Sequence, residues 1–252
     1  MHMNPLEAVE IARRQMTLFF IVDTSGSMDG EKIAAVNTAI REVIPEIAYL
    51  SSENADAKIN VACLKFATDV DWLFRPTDVE GLSWTDLRAG GMTMFGEACN
   101  ELGRRLSRNE FLNSPTGNFA PVLFLMSDGQ PTDEYKQALD RLKENRWFKV
   151  AIRVAIAIGD DADKQVLAEF TGSPELVLTA HTPEALKQMI RFVSVTSSKI
   201  GSRSSGIGVG GSSVSGGGSG VAGQETKQAE FAEQVKDFKD ANDDLDQLTD
   251  GF

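Results

Sequence analysis

The sequence predicts an α/β fold: a doubly wound, mostly parallel six-stranded sheet with helices on both faces. Three observations lead there. Apolar, β-rich runs alternate with stretches of helical period across residues 15–199; several runs are apolar almost throughout; and capping or turn residues stand at their ends. A strand with no polar side must be covered on both faces, and crossover helices do this in parallel sheets.

In chain order the expected strands are Thr17–Val22, Ile59–Phe66, a short Asp71–Phe74, Pro121–Met126, Val150–Ile158 and Leu176–Thr179. The first, fourth and fifth are the near-continuous apolar runs. The stretch from Ile59 to Phe74, broken at Thr68-Asp69, reads as a hairpin supplying one antiparallel edge strand. Between these runs, Glu31–Leu50, Phe95–Leu106, Asp133–Asn145, Asp163–Thr171 and Pro183–Val193 carry helical periodicity. Pro121 suits a strand start, while Asp163 and Thr182 suit helix N-caps, the latter followed by Pro183 at the first helical position. Residues 1–14 precede the first strand as an N-terminal helix or extension. Residues 15–199 form the folded domain.

Composition changes abruptly after Ile200. From Gly201 to Gln224 the chain holds 10 Gly and 7 Ser without an aromatic residue, a composition expected to behave as a flexible linker, here assigned to residues 200–224. Residues 225–252 form an acidic tail with 9 acidic and 3 basic residues. In it Phe231, Val235, Phe238, Ala241, Leu245, Leu248 and Phe252 recur at spacings of three and four, the stripe of an amphipathic helix. Such a short helix is marginal alone, so the stripe is expected to seek a surface on this domain or on another chain. The linker is long enough for the tail to reach the far side of the domain. The tail is therefore expected to act as a docking segment or as a self-inhibitory one, the alternative being a solvated acidic tail without a fixed partner.

Across the whole chain, 25 basic and 37 acidic residues give a net charge of −12 and no basic cluster, which argues against nucleic-acid or anionic-membrane partners. No apolar run approaches the ~20 residues of a membrane span, and the N-terminus does not read as a secretory signal. Cys63 and Cys99 lie in apolar stretches as core side chains, consistent with a reducing, cytoplasmic setting.

In a doubly wound sheet, ligands bind beyond the strand C-termini, where strand order reverses. Asp23-Thr24-Ser25-Gly26-Ser27-Met28 follows the first strand and Ser127-Asp128-Gly129 follows the fourth. Between them lies the glycine-rich loop Ala89-Gly90-Gly91-Met92-Thr93-Met94-Phe95-Gly96. Asp23, Ser25, Ser27, Thr93 and Asp128 are all hard oxygen donors. That set suits Mg²⁺, with Mn²⁺ or Ca²⁺ as substitutes, and suits zinc poorly because no Cys/His cluster accompanies it. A single Asp or Ser at such a position reads more simply as a helix cap; three loops at strand ends outweigh that reading.

The DxSxS phrase at 23–27, the glycine-rich loop with Thr93 and the SDG phrase at 127–129 together resemble the metal-ion-dependent adhesion site of von Willebrand factor A domains, over roughly residues 15–195. The resemblance implies that family's Rossmann-like α/β fold. It also implies that Ser25, Ser27 and Thr93 contact the metal through hydroxyl oxygens, with Asp23 and Asp128 acting through water or directly. Met92 departs from the pattern, which usually has glycine before the loop threonine. The phrases at 23–33, 127–133 and 158–163 resemble the TerY-like bacterial branch, associated with tellurite-resistance and stress gene clusters. That likeness implies protein-kinase-like and protein-phosphatase-like partners.

On this reading the site is non-catalytic and the vacant coordination position takes an Asp or Glu from a partner protein. The alternative is a haloacid-dehalogenase-like phosphohydrolase with Asp23 as nucleophile. That chemistry needs Asp-x-Asp, and Ser25 occupies the place of its general acid. Serine hydrolysis lacks the Gly-x-Ser-x-Gly elbow, and Gly90-Gly91 lacks the Gly-Lys-Ser/Thr ending of a phosphate-binding loop.

Overall fold

Buried without a break from Met16 to Asp23, strand β1 (Arg14–Asp23) is the axis of the fold. The computed structural model describes residues 13–160, 162–203 and 219–242, with side chains in the last stretch from Lys227 onward. β1 pairs in parallel with β2 (Ala57–Phe66) on one side and with β4 (Val122–Ser127) on the other. The sheet order is β3-β2-β1-β4-β5-β6, with β3 (Val70–Asp78) antiparallel at one edge, and β5 (Ile152–Ile158) and β6 (Val177–Ala180) completing the parallel side.

Alternation along β1 divides the core in two. Leu18, Phe20 and Val22 pack with helices α1 (Glu31–Ser52) and α6 (Pro183–Gly201); Phe19 and Ile21 face α2 (Phe95–Arg105), α3 (Tyr135–Glu144) and α5 (Lys164–Thr171). Each such side chain contributes roughly 1.5–3 kcal/mol by leaving water. The doubly wound, six-stranded architecture expected from the sequence is the one observed.

Element bounds differ where local hydrogen bonding overrides periodicity. The edge strand β3 runs four residues beyond Phe74, and its pairing with β2 shifts register near Cys63. Val150 does not open a strand: Arg146–Val150 is a short helix, α4, capped by the Asn145 side-chain Oδ1, which accepts from the N–H groups of Trp147 and Phe148. Asp133 does not open α3, because its carboxylate accepts from Gly96 N–H and Glu97 N–H and so caps α2 across a loop. Helix α6 does not stop at Val193. It continues to Gly201 because Ser194, Ser197 and Ser198 are small enough to be fully buried there. Asp163 and Thr182 cap α5 and α6 as expected.

Helix α7 (Ser219–Ala241) begins within the stretch expected to be linker and lies against its own domain. Phe231 and Val235 are buried, and Phe192 of α6 stacks on Phe231 at 6.4 Å and on Phe238 at 4.2 Å between ring centroids. Three side chains fix its position. Lys227 donates to the carbonyls of Gly201 and Arg203, Lys239 donates to those of Glu175 and Val177, and the Gln228 amide exchanges two hydrogen bonds with the backbone of Arg153. Arg153 lies beyond the β5–β6 ladder, which starts at Ala155, so Gln228 stands in for a missing strand neighbour. All these contacts lie at the N-terminal ends of β5 and β6. Residues 227–242 are therefore at the far end of the sheet from the expected metal face, and that stretch gives the self-inhibitory reading no support. Residues 1–12, 204–218 and 243–252, including Leu245, Leu248 and Phe252 of the expected stripe, lie outside the described residues.

The segment entering the glycine-rich loop is held by one residue of α1. The Asn37 side chain accepts from Leu87 N–H at 2.8 Å and from Trp84 Nε1–H at 3.1 Å, and donates to the Leu87 carbonyl at 2.9 Å. Replacing Asn37 with Ala leaves the Leu87 groups buried and unpaired. Urea denaturation is expected to show a loss of about 2–3 kcal/mol, against less than about 1 kcal/mol for Glu53→Gln, an exposed side chain just past α1.

Candidate metal centre

Strand order reverses between β1 and β4: the chain leaves β1 toward β2 and leaves β4 toward β5, so the two exit loops diverge and open a crevice. The register pairs Val22 with Met126, which sets Asp23 beside Ser127 at the mouth of that crevice. There the Ser127 hydroxyl donates to Asp23 Oδ2 at 2.5 Å, while Ser25 N–H donates to Asp23 Oδ1 at 2.8 Å. The hydroxyls of Ser25 and Ser27 lie 3.0 Å apart. Ser127 Oγ also accepts from Gly129 N–H at 2.7 Å.

The glycine-rich loop is tied to the β1 exit by backbone bonds. Gly90 N–H donates to the Thr24 carbonyl at 2.8 Å and Gly26 N–H donates to the Gly91 carbonyl at 3.0 Å. Gly91 needs its glycine, since its φ is 88° and an added Cβ would stand 2.5 Å from Thr68 Oγ1. With the turn made at Gly90 and Gly91, Met92 points outward at 51% exposure, and Thr93 behind it is buried. Thr93 is held on both backbone sides by Thr132: its N–H donates to Thr132 Oγ1 and its carbonyl accepts from Thr132 N–H. Among the described residues Thr93 makes no direct side-chain hydrogen bond to the other four; it joins them through the backbone of its loop.

Asp23 and Asp128 are both 0% exposed. Burial pushes the Asp23 carboxyl up to about 6; hydrogen bonds from Ser127 and Ser25 offset part of this, and the neighbouring Asp128 adds to it. Asp128 is the more unusual group, because neither Oδ1 nor Oδ2 has a hydrogen-bond partner although both are sealed from water. Its backbone, in contrast, is anchored, with the carbonyl accepting from Asp163 N–H at 2.7 Å. A buried carboxylate with two orphaned oxygens is costly unless a cation compensates it. The donor set present, two carboxylates with three hydroxyls, fits a hard divalent ion.

Among the described residues no three His, Cys, Asp or Glu side chains gather as a metal cluster, as expected where hydroxyls make up most of the donor set. Cys63 and Cys99 are free and buried in the core, and burial raises both thiols. The sequence reading did not single out Ser127, Thr68, Thr132 or Asp133 as site residues. Ser127 and Asp133 stand inside the phrase 127–133, where a side chain orienting a neighbour looks the same as a spacer. Thr68 is distant in sequence and carries no signal of its own.

The von Willebrand factor type A domain family profile matches residues 17–192. Solved structures share the fold at low identity. The SpaC pilus adhesin of Lactobacillus rhamnosus GG in its open conformation aligns with a TM-score of 0.55 at 16% identity, over 72% of this chain and 30% of the adhesin. Proximal thread matrix protein 1 of the mussel byssus, with a zinc-occupied MIDAS motif, aligns at 0.54 and 17%, over 73% of this chain and 48% of that protein. The von Willebrand factor domain of the Porphyromonas gingivalis pilus tip protein Mfa5 aligns at 0.57 and 11%, covering 78% of this chain and 99% of that one. No functionally curated protein matches the chain. The profile match takes in β1, both hydroxyl-bearing loops and the Asp128 turn, and on it the chain belongs to the von Willebrand factor type A domain family.

Proposed function

We propose that the chain is a non-catalytic, metal-dependent protein-interaction module whose site binds Mg²⁺ and captures a carboxylate from a partner protein. The orphaned, fully buried carboxylate of Asp128 carries the reading. Ser25, Ser27 and Thr93 would hold the ion through their hydroxyls, and Asp23 and Asp128 through water or directly. When bound, such a cation supplies Lewis acidity and a coordination position for an outside oxygen ligand. The chain's own residues set how much of that acidity survives. Three donors are neutral and both Asp23 oxygens already accept hydrogen bonds, which leaves Asp128 as the one carboxylate free to face the ion, fewer than a carboxylate-rich cage would offer. The same engagement makes Asp23 an orienting group for Ser25 and Ser127, which disfavours it as a phosphohydrolase nucleophile. The zinc-occupied motif of the byssus protein supports a divalent ion at this place in the fold, and the all-oxygen donor set here favours magnesium.

The biological setting is proposed on sequence likeness alone. The TerY-like phrases support a cytoplasmic stress or tellurite-resistance assembly with kinase-like and phosphatase-like partners. No helix among the described residues is long and apolar enough to cross a membrane.

Added Mg²⁺ or Mn²⁺ should raise the melting temperature of the metal-free protein by several degrees. Asp128→Ala should abolish the shift while leaving the metal-free protein at least as stable, since it removes an uncompensated buried charge. Capture of partners from a lysate on the immobilised protein should require the metal; recovery undiminished by EDTA and by Asp128→Ala would exclude a metal bridge.

A pH dependence follows from Asp23. Its folded pKa, about 6, lies above the unfolded value of 3.8, so the folded state holds the proton more tightly. Stability from this group is greatest below about pH 4 and is lost as pH rises through 6. Chemical denaturation of the metal-free protein should show Asp23 contributing about 1 kcal/mol more at pH 5 than at neutral pH. The difference should vanish in Asp23→Asn, and a dependence unchanged in that variant would assign it to other groups.

A further inference from the structure

We propose that the cavity between α7 and the N-terminal ends of β5 and β6 is a binding site for a small organic anion, one carrying a carboxylate or phosphate on an apolar body. The cavity has a volume of about 650 Å³, within the range of metabolite-sized sites. Its polar lining is Arg146, Lys149, Arg153, Ser173, Glu175 and Gln228, three cations against one carboxylate, and aliphatic surface from Leu176 and Ala232 forms part of the remaining wall.

Arg153 is the decisive residue. Its guanidinium lies over the Phe148 ring at 5.0 Å and passes close to Gly172, where an added Cβ would stand 3.6 Å from Nη2. Its Nε is sealed from water without a hydrogen-bond partner, and no ion pair forms to it among the described residues. Burial alone lowers its pKa. Arg105, also sheltered, shows the ordinary arrangement, pairing with both Glu101 and Glu110. A half-buried guanidinium that forms no ion pair among the described residues lowers stability. It lines a cavity where Arg146 and Lys149 outnumber the one carboxylate, Glu175, and it can meet a planar anion with two parallel N–H bonds. Arg146 also has no side-chain partner among the described residues, while Lys149 pairs only with the exposed Glu144 and can turn inward. The Ser173 hydroxyl, which accepts from Glu175 N–H, still has a proton to donate.

The roof of the cavity belongs to α7. Gln228 is already bound to the Arg153 backbone, and Ala229 and Ala232 complete the cover. A ligand held there would touch helix and domain together and would tighten the seating of α7, at the end of the sheet opposite the metal centre and independently of it.

The test is isothermal titration of the full chain with phenyl phosphate and, separately, phenylacetate, together with hydrogen exchange of α7. Saturable one-to-one binding of either compound, slower exchange at residues 228–232 in its presence, and affinity about tenfold or more weaker in Arg153→Gln are the expected results. The compound that binds more tightly identifies the acid group. Arg153→Gln should melt no more than marginally lower than the parent protein, because the guanidinium gives up its stacking on Phe148 but has no ion pair or side-chain hydrogen bond to lose among the described residues. Absence of saturable binding by both compounds up to about 10 mM, equal affinity in Arg153→Gln, or a clearly lowered melting temperature in that variant would each overturn the proposal, the last by showing a structural role.

Discussion

Two carboxylates buried side by side at the open end of a parallel sheet constrain everything around them. Asp23 and Asp128 occupy adjacent strand ends because β1 and β4 are neighbours at the point where the winding reverses. Apolar strands deliver them there and keep water out, so their charges must be managed by what the loops provide. For Asp23 the loops provide a backbone N–H and the Ser127 hydroxyl; for Asp128 they provide nothing. On this asymmetry rests the proposed division of roles, one carboxylate orienting its neighbours and the other facing a cation.

The loops meet these demands through backbone geometry more than through side chains. Gly91 turns where no Cβ fits, and Gly129 adopts a φ of 70° where a Cβ would lie 2.6 Å from the Asp163 carbonyl. Asp133 then caps α2 from across the site, and Thr132 holds Thr93. Each of these ties restricts where the loops can set their hydroxyls, the preorganisation that the proposed ion site requires.

A similar logic operates at the other end of the sheet. The short β6 leaves the start of β5 without a strand neighbour, and Gln228 of α7 fills the gap with a side-chain amide. Beneath that patch Arg153 stays unpaired, as Asp128 does at the metal face. Among the described residues the buried side-chain atoms left without a hydrogen-bond partner are four neutral ones, on Thr17, Asn118, Ser194 and Ser198, and those of two ionisable groups, Asp128 and Arg153; the ionisable pair is the costlier and so the more informative.

The alternation of strands with helices and the Phe231, Val235 and Phe238 part of the tail's apolar stripe were legible from residue order, because each is a local pattern whose period or composition reports burial directly, whereas Ala241 of that stripe is exposed. Tertiary structure decided what lies between distant residues. Asp133 serves α2 and not its own helix, α6 runs on through serines because neighbours close over them, and α7 docks at the strand N-termini and not at the proposed metal face. It also decided which charges find partners: Asp23 and Asp128 look alike in sequence, as do Arg105 and Arg153. Only the packing of remote segments determines which of them is compensated, since desolvation is set by the surroundings and not by the residue.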